Sequence, residues 1–279
     1  MEKKIKYSDV KLRIFNVVIQ PTEKQCKENY IALIEKIFEK ANKYETSSKQ
    51  FTKIHSLNKT EKIYSGSLVN FSVLDTDRPW YNEEKNELQQ MEVDPNLNPN
   101  GKFWDFYFYP EYHRIGVPAR RGVSFAQVKN FLIQAFKEAA GALGYEDVVV
   151  NVVTSAECIE SIFKLENIDK LSIEVTYSNN DNFEAFDKAI EDEMREENVG
   201  CLKVHVESPK RGSIVLKKRS YIGSLLRFSK NNGKAKANGH IDGRPFKINT
   251  DNYPKVVEMK RVGEDNLLQK VKEAIKSVL

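Results

Sequence analysis

The chain predicts an α+β protein built from two mixed sheet-and-helix domains, residues 1–144 and 145–279, divided near Gly144. Three observations carry that prediction. Apolar residues recur at three- and four-residue steps over several long segments, as amphipathic helices require. Between them stand short alternating or continuous apolar runs that read as strands. Beyond Gly144 strands and helices succeed one another in a βαβαβ rhythm, which leads into a basic helix, a hairpin and a closing helix. At 279 residues there is ample material for large cores.

Leu12 to Gln20 is the first predicted strand, apolar nearly throughout and stopped by Pro21, which cannot donate to a ladder. A helix is expected next, with Thr22 as its cap and Cys26, Tyr30, Leu33, Ile34, Ile37, Phe38, Ala41 and Tyr44 on its apolar stripe. Phe51 to Leu57 and Ile63 to Leu74 read as strands, with Gly66 marking a bulge. Asp75 to Gly101 is a long polar loop. The aromatic run Phe103 to Tyr109 pairs with His113 to Val117 across Pro110 and Glu111. Ser124 and Gln127 have capping-box spacing for a helix that Gly144 ends.

In the second half the expected elements are a strand over Val148 to Val153, a helix over Ala156 to Leu165, a strand over Leu171 to Tyr177, a helix over Asn182 to Glu197 and a strand over Leu202 to Val206. A helix over Ser213 to Ser229 follows. A hairpin from Gly233 to Asn249 turns at Asp242 and Gly243, a pair that tolerates positive φ. A strand at Lys255 to Lys260 and a helix carrying Leu267, Leu268, Val271, Ile275 and Val278 close the chain.

Composition excludes several classes of protein. With 40% hydrophobic and 30% charged residues and a mean hydropathy of −0.56, the chain is neither disordered nor membrane-embedded. No run of eighteen apolar residues and no secretory leader occurs, so the expected compartment is the cytoplasm. Cys26, Cys158 and Cys201 are odd in number and widely spaced, which points to reduced thiols and not to a disulfide framework or a zinc site. Gly116 and Gly122 do not match a phosphate-binding loop.

Charge is concentrated from Lys203 to Lys247, where twelve cations face only Glu207 and Asp242, a local balance of +10 in a chain that nets +4. Clustered Lys and Arg bind phosphates and release condensed counterions, so this stretch is the candidate nucleic-acid surface. The candidate contact residues are Lys210, Arg211, Lys217, Lys218, Arg219, Arg227, Lys230, Lys234, Lys236, Arg244 and Lys247. On a helix, Arg219, Arg227 and Lys230 fall on one side. Lys234, Lys236, Arg244 and Lys247 lie on the hairpin. Asp181 to Glu197 is the counterpart, with eight acids against Lys188 and Arg195; it reads as a solvated face, a docking face, or a partner for the basic stretch. Asp75, Asp77, Asp105, Glu111 and His113 are the residues from which a Mg²⁺ site for phosphoryl chemistry would be built, although their spacing matches no metal motif. No cofactor and no catalytic residue is assigned.

The run Ser65-Gly66-Ser67-Leu68-Val69-Asn70-Phe71, then Asp75-Thr76-Asp77-Arg78-Pro79-Trp80 and Phe106-Tyr107-Phe108-Tyr109-Pro110-Glu111-Tyr112-His113-Arg114, resembles an uncharacterised bacterial family, a domain of unknown function of about this length. That kinship implies no reaction. A looser likeness, in order of elements, is to the Rex exclusion protein A of lambdoid phages, a DNA-binding protein. The matching parts here are Phe103 to Val117, Ser124 to Leu143, Val148 to Val206 and Lys210 to Leu279. The resemblance implies a homodimeric nucleic-acid-binding component of bacterial anti-phage defence.

The expected function is therefore binding of DNA, or of RNA, through phosphates with low sequence specificity, by occupancy and not by chemistry. Two rivals are a metal-dependent nuclease effector using the Asp75 to Arg114 region, and an interaction subunit that meets another defence protein through the acidic helix.

Overall fold

A computed structural model describes residues 10–60, 62–90, 92–94, 96–119, 124–176, 185–210, 212–259 and 267–278. In chain order the elements are β1 (Val10–Gln20), α1 (Lys27–Lys40), β2 (Tyr44–Ser47), β3 (Gln50–Lys59), β4 (Tyr64–Ser72), β5 (Trp80–Asn82), β6 (Glu87–Gln89), β7 (Lys102–Tyr109), β8 (Arg114–Pro118) and α2 (Phe125–Ala142). They continue with β9 (Asp147–Val152), α3 (Ala156–Phe163), β10 (Glu166–Thr176), α4 (Ala185–Glu196), β11 (Cys201–Glu207), α5 (Tyr221–Asn232), β12 (Gly233–Ile241), β13 (Arg244–Asn249), β14 (Val256–Met259) and α6 (Leu267–Lys276). The fold is α+β, as the sequence predicts.

β1 is the axis of the larger sheet, whose order is β14-β1-β8-β7-β4-β3-β2. From Ile14 to Ile19 it is apolar except for Asn16, because both of its faces are covered there. Phe15, Val17 and Ile19 meet Tyr30, Leu33 and Ile34 of α1 and Phe131, Leu132 and Phe136 of α2. Leu12 and Ile14 face Val271, Ala274 and Ile275 of α6 on the other side. β1 is also long enough to hold two partners along one edge: residues 10–13 pair with β14, and residues 15–20 pair with β9. Both partners come from beyond Gly144.

The second sheet has the order β11-β10-β12-β13 and is antiparallel at every junction. The βαβαβ order is therefore present along the chain without a parallel crossover. β9 leaves for the first sheet, and β10 returns directly beside β11. One face of this sheet is covered: Leu171, Ile173, Val175, Ala235 and Ala237 pack with Ile159 and Ile162 of α3, Ile190 and Met194 of α4, and Leu225, Leu226 and Phe228 of α5.

Several local expectations change. α1 begins at Lys27 after a separate 3-10 turn at Thr22–Lys24, and its N-cap is Cys26, which makes no side-chain capping bond. Ser124 holds the N-cap position of α2, also without a side-chain bond. The bulge near Gly66 belongs to its neighbour: register slips between Ile54 and Ser56 of β3. Gly66 makes room for it, since a Cβ there would stand 2.1 Å from the Ser56 carbonyl oxygen. The polar loop contains the small β5–β6 hairpin, and the Trp80 ring donates to the Asp75 carbonyl at 3.1 Å. The aromatic hairpin and the turn at Asp242 and Gly243, both at positive φ, form as expected.

Candidate nucleic-acid interface

The uncovered face of the second sheet is produced by strict alternation. β11 reads Cys201-Leu202-Lys203-Val204-His205-Val206-Glu207, with every odd residue exposed and every even one half-buried. Successive strand side chains point to opposite faces, and directly paired residues share a face. The register therefore builds three rows across the sheet. The first is Glu207, Lys170, Asn238 and Lys247; the second is His205, Ser172, Lys236 and Asn249; the third is Lys203, Glu174 and Lys234. His240 and Glu166 continue the face at one end.

Five lysines and three glutamates thus share one surface, and their pairing is uneven. Lys234 lies 3.2 Å and Lys203 lies 3.8 Å from Glu174, while Lys170 meets Glu207 at 2.8 Å. The Lys170 ammonium holds the Glu207 carboxyl below the usual carboxylate range. Lys236 and Lys247 have no ion pair among the described residues. They are the cations available to a ligand, with Ser172, Asn238, Asn249, His205 and His240 as neighbouring hydrogen-bonding groups. A cleft of about 420 Å³ opens beside them, lined by Lys170, Asn238, His240 and Lys247.

The other predicted cations are elsewhere. The helix expected over Ser213 to Ser229 starts only at Tyr221, because Ser220 is its N-cap and accepts from the Gly223 amide at 3.1 Å. Arg219 therefore precedes the helix, and Arg219, Arg227 and Lys230 do not form one helical face. Arg227 folds back to the Lys218 carbonyl and to Ser224 Oγ. Lys218 pairs with Glu160 at 2.6 Å and rests over the Phe163 ring. Lys230 stands near Lys255, whose ammonium is pushed below its ordinary pKa by burial and then by Lys230. Since α5 packs on the covered side of the sheet, these residues lie behind the surface that carries Lys234, Lys236 and Lys247. Arg244 alternates to that same reverse side, Lys210 and Lys217 are exposed in the connection before α5, and Arg211 lies outside the described residues.

The carboxylates of the nuclease reading do not gather. Asp75 pairs with Arg78, Glu111 accepts from the Tyr109 hydroxyl at 3.1 Å, and Asp105 pairs across to Ser67 within the sheet. His113 packs on the Tyr30 ring. Among the described residues no three His, Cys, Asp or Glu side chains are grouped to hold a metal. In α4, Glu191 is buried and binds Arg195 at 2.6 Å. No described acid of α4 pairs with a cation of the basic stretch, and residues 181–184 of the acidic segment lie outside the described residues. Cys158 is buried, which pushes its thiol up to about 11, so it is a poor nucleophile. No helix among the described residues is long and apolar enough to cross a membrane.

Charge counting along the chain includes Lys203 but misses Lys170, Ser172 and His205 as members of this surface. The alternation of residues 201–207 marks Lys203 and His205 as facing solvent, whereas Lys170 and Ser172 join them only through the pairing of β10 with β11. A search of curated proteins finds no match. A family model described as a domain of unknown function, DUF4747, matches residues 8–277, and the chain belongs to that family.

Proposed function

We propose that this protein binds nucleic acid, single-stranded DNA foremost, across the open face of its second sheet, as a cytoplasmic component of bacterial anti-phage defence. One observation carries the reading: Lys236 and Lys247, free of ion pairs among the described residues, stand on an uncovered polar sheet among Ser172, Asn238, Asn249, His205 and His240. Lysines that track a backbone, with rings beside them for stacking, suit a single strand. A duplex groove would need a projecting helix or ribbon, and α5, which carries the basic residues Arg227 and Lys230, is packed into the core through Leu225, Leu226 and Phe228. Low sequence preference follows, because the groups on offer contact phosphate and sugar more readily than they discriminate base edges. The anti-phage role rests on the likeness in element order to the phage exclusion protein.

The test is fluorescence anisotropy of a labelled mixed-sequence oligonucleotide, single-stranded and duplex, across a salt series. Neutralising two to three phosphates predicts a log–log salt slope of roughly −1.4 to −2 for the single strand. The K236E/K247E variant is expected to lose at least about tenfold in affinity, each phosphate contact being a charge-assisted bond. Binding that survives this double reversal unchanged would sink the assignment.

A further inference from the structure

Exposed sheet edges are templates for pairing, and proteins guard them by shortness, bulges, proline or cover. In this fold each outer strand can be checked for a guard. β2 has four residues and a register slip at Glu45 to Ser47, and β14 has four residues. β13 contains Pro245, which has no N–H to give. β9, which pairs with β1 along one side, is packed against β12 and α5. β11 is different. It has seven residues, no proline, glycine or bulge, and among the described residues it pairs only with β10. Its covered-side residues Leu202, Val204 and Val206 are only half-buried, whereas their neighbours Ile173 and Val175 on β10 are almost fully buried at 1% exposure.

We propose that β11 pairs antiparallel with β11 of a second copy of this chain, about a two-fold axis at His205, joining the two four-stranded sheets into one of eight strands. A two-fold axis along the sheet normal keeps open face with open face, so only residues of the same parity can be opposed. Among the registers centred on an open-face residue, the one centred on His205 sets Lys203 against Glu207 of the second copy, and Glu207 against its Lys203. The register centred on Lys203 would oppose two lysines, and that centred on Glu207 two glutamates, both unfavourable. The choice also completes a pattern already present. Across the junction the third row of one copy, Lys234, Glu174 and Lys203, continues into Glu207 and Lys170 of the other, so charge alternates at every step. On the covered side Val204 meets Val206 of the second copy, which closes the half-exposed apolar strip. Both open faces then lie on the same side of one continuous surface.

Sedimentation velocity without nucleic acid tests this independently of the proposed ligand. The wild-type chain is expected as a dimer at micromolar concentration. Lys203 and Glu207 have side chains 62% and 66% exposed, so reversing either leaves the fold intact, which circular dichroism verifies. K203E opposes glutamates at both contacts and E207K opposes lysines, so each alone is expected to be monomeric. Mixed together they are expected to form a heterodimer, since every opposed pair is then Lys against Glu, and the K203E/E207K double variant is expected to dimerise by itself. A monomeric wild type, single variants that stay dimeric, or single variants that fail to combine when mixed would overturn the proposal. The K236E/K247E variant is expected to keep the dimer even where it loses nucleic acid.

Discussion

Asn16, in the middle of β1, donates from its amide to Oδ1 of Asn232 at 2.9 Å, joining the larger sheet to the end of α5 across 216 residues of sequence. The same amide reaches the Asn231 backbone carbonyl at 3.2 Å, and Oδ1 of the Asn16 side chain accepts from Arg114, a side chain with no solvent exposure. Asn151 extends the network to Thr176 at 3.0 Å, and Thr176 donates to the Asn232 carbonyl. A polar chain thus runs between the two sheets through an otherwise apolar interior.

Removing Asn16 should expose the cost of that arrangement. Asn16→Leu takes an acceptor from a buried guanidinium, so urea unfolding is expected to show a loss of about 2–4 kcal/mol. The double variant N16L/R114M removes the charge as well and should lose less than N16L alone. Equal or greater loss would show that Arg114 is held mainly by other groups.

The close approaches at Gly66 and Gly223 predict intolerance of even one methyl group. A Cβ at Gly66 meets the Ser56 carbonyl oxygen at 2.1 Å and the Phe106 ring at 2.8 Å; one at Gly223 meets the Lys217 carbonyl oxygen at 2.0 Å. Backbone atoms must move in both cases. Gly66→Ala and Gly223→Ala are each expected to cost about 1–3 kcal/mol in thermal or denaturant unfolding. Gly141→Ala, with open space around its Cβ, should be neutral or stabilising.

Arg227 and Lys236 should separate stability from binding. Arg227 holds the turn before α5, so Arg227→Ala is expected to cost about 1 kcal/mol of stability and to leave DNA affinity within about twofold. Lys236→Ala should do the reverse, weakening binding across all sequences with little change in unfolding. A reversed outcome would move the interface to the α5 side.

His113 sets a pH dependence. Burial, and then the neighbouring Arg114 charge, lower its pKa from 6.5 to about 3. The unfolded chain therefore binds this proton more readily, and folded stability falls as pH drops from about 6.5 towards 3. The limiting slope is about 1.4 kcal/mol per pH unit for one such group. His113 has a φ of 48°, which asparagine tolerates. His113→Asn should flatten the acid limb of a stability–pH curve measured against the wild type, and an unchanged slope would show that other groups dominate it.

Much of the local structure is legible in the sequence. The run from Leu12 to Gln20, the apolar stripes of α1 and α2, the aromatic hairpin and the turn at Asp242 and Gly243 all follow from side-chain period or turn chemistry. These are properties of a few adjacent residues. The start of α5 is not legible in this way: charge and apolar spacing suit a helix from Ser213, whereas the Ser220 cap and the close contact of Gly223 with Lys217 decide where the first turn closes.

By itself the sequence determined most of the element types, though not β2, β5 or β6, together with the α+β class and the concentration of positive charge between Lys203 and Lys247. Only the tertiary structure decided that β9 and β14 join β1, that β10 and β11 run antiparallel, and that the candidate cations divide between two sides of one sheet. The physical reason is the same in each case. Period records which residues of a segment are buried, but pairing and facing depend on partners far away in the chain. Lys230 and Lys234 are four residues apart, yet the chain turns from helix into strand between them, leaving one behind the sheet and the other on its open face.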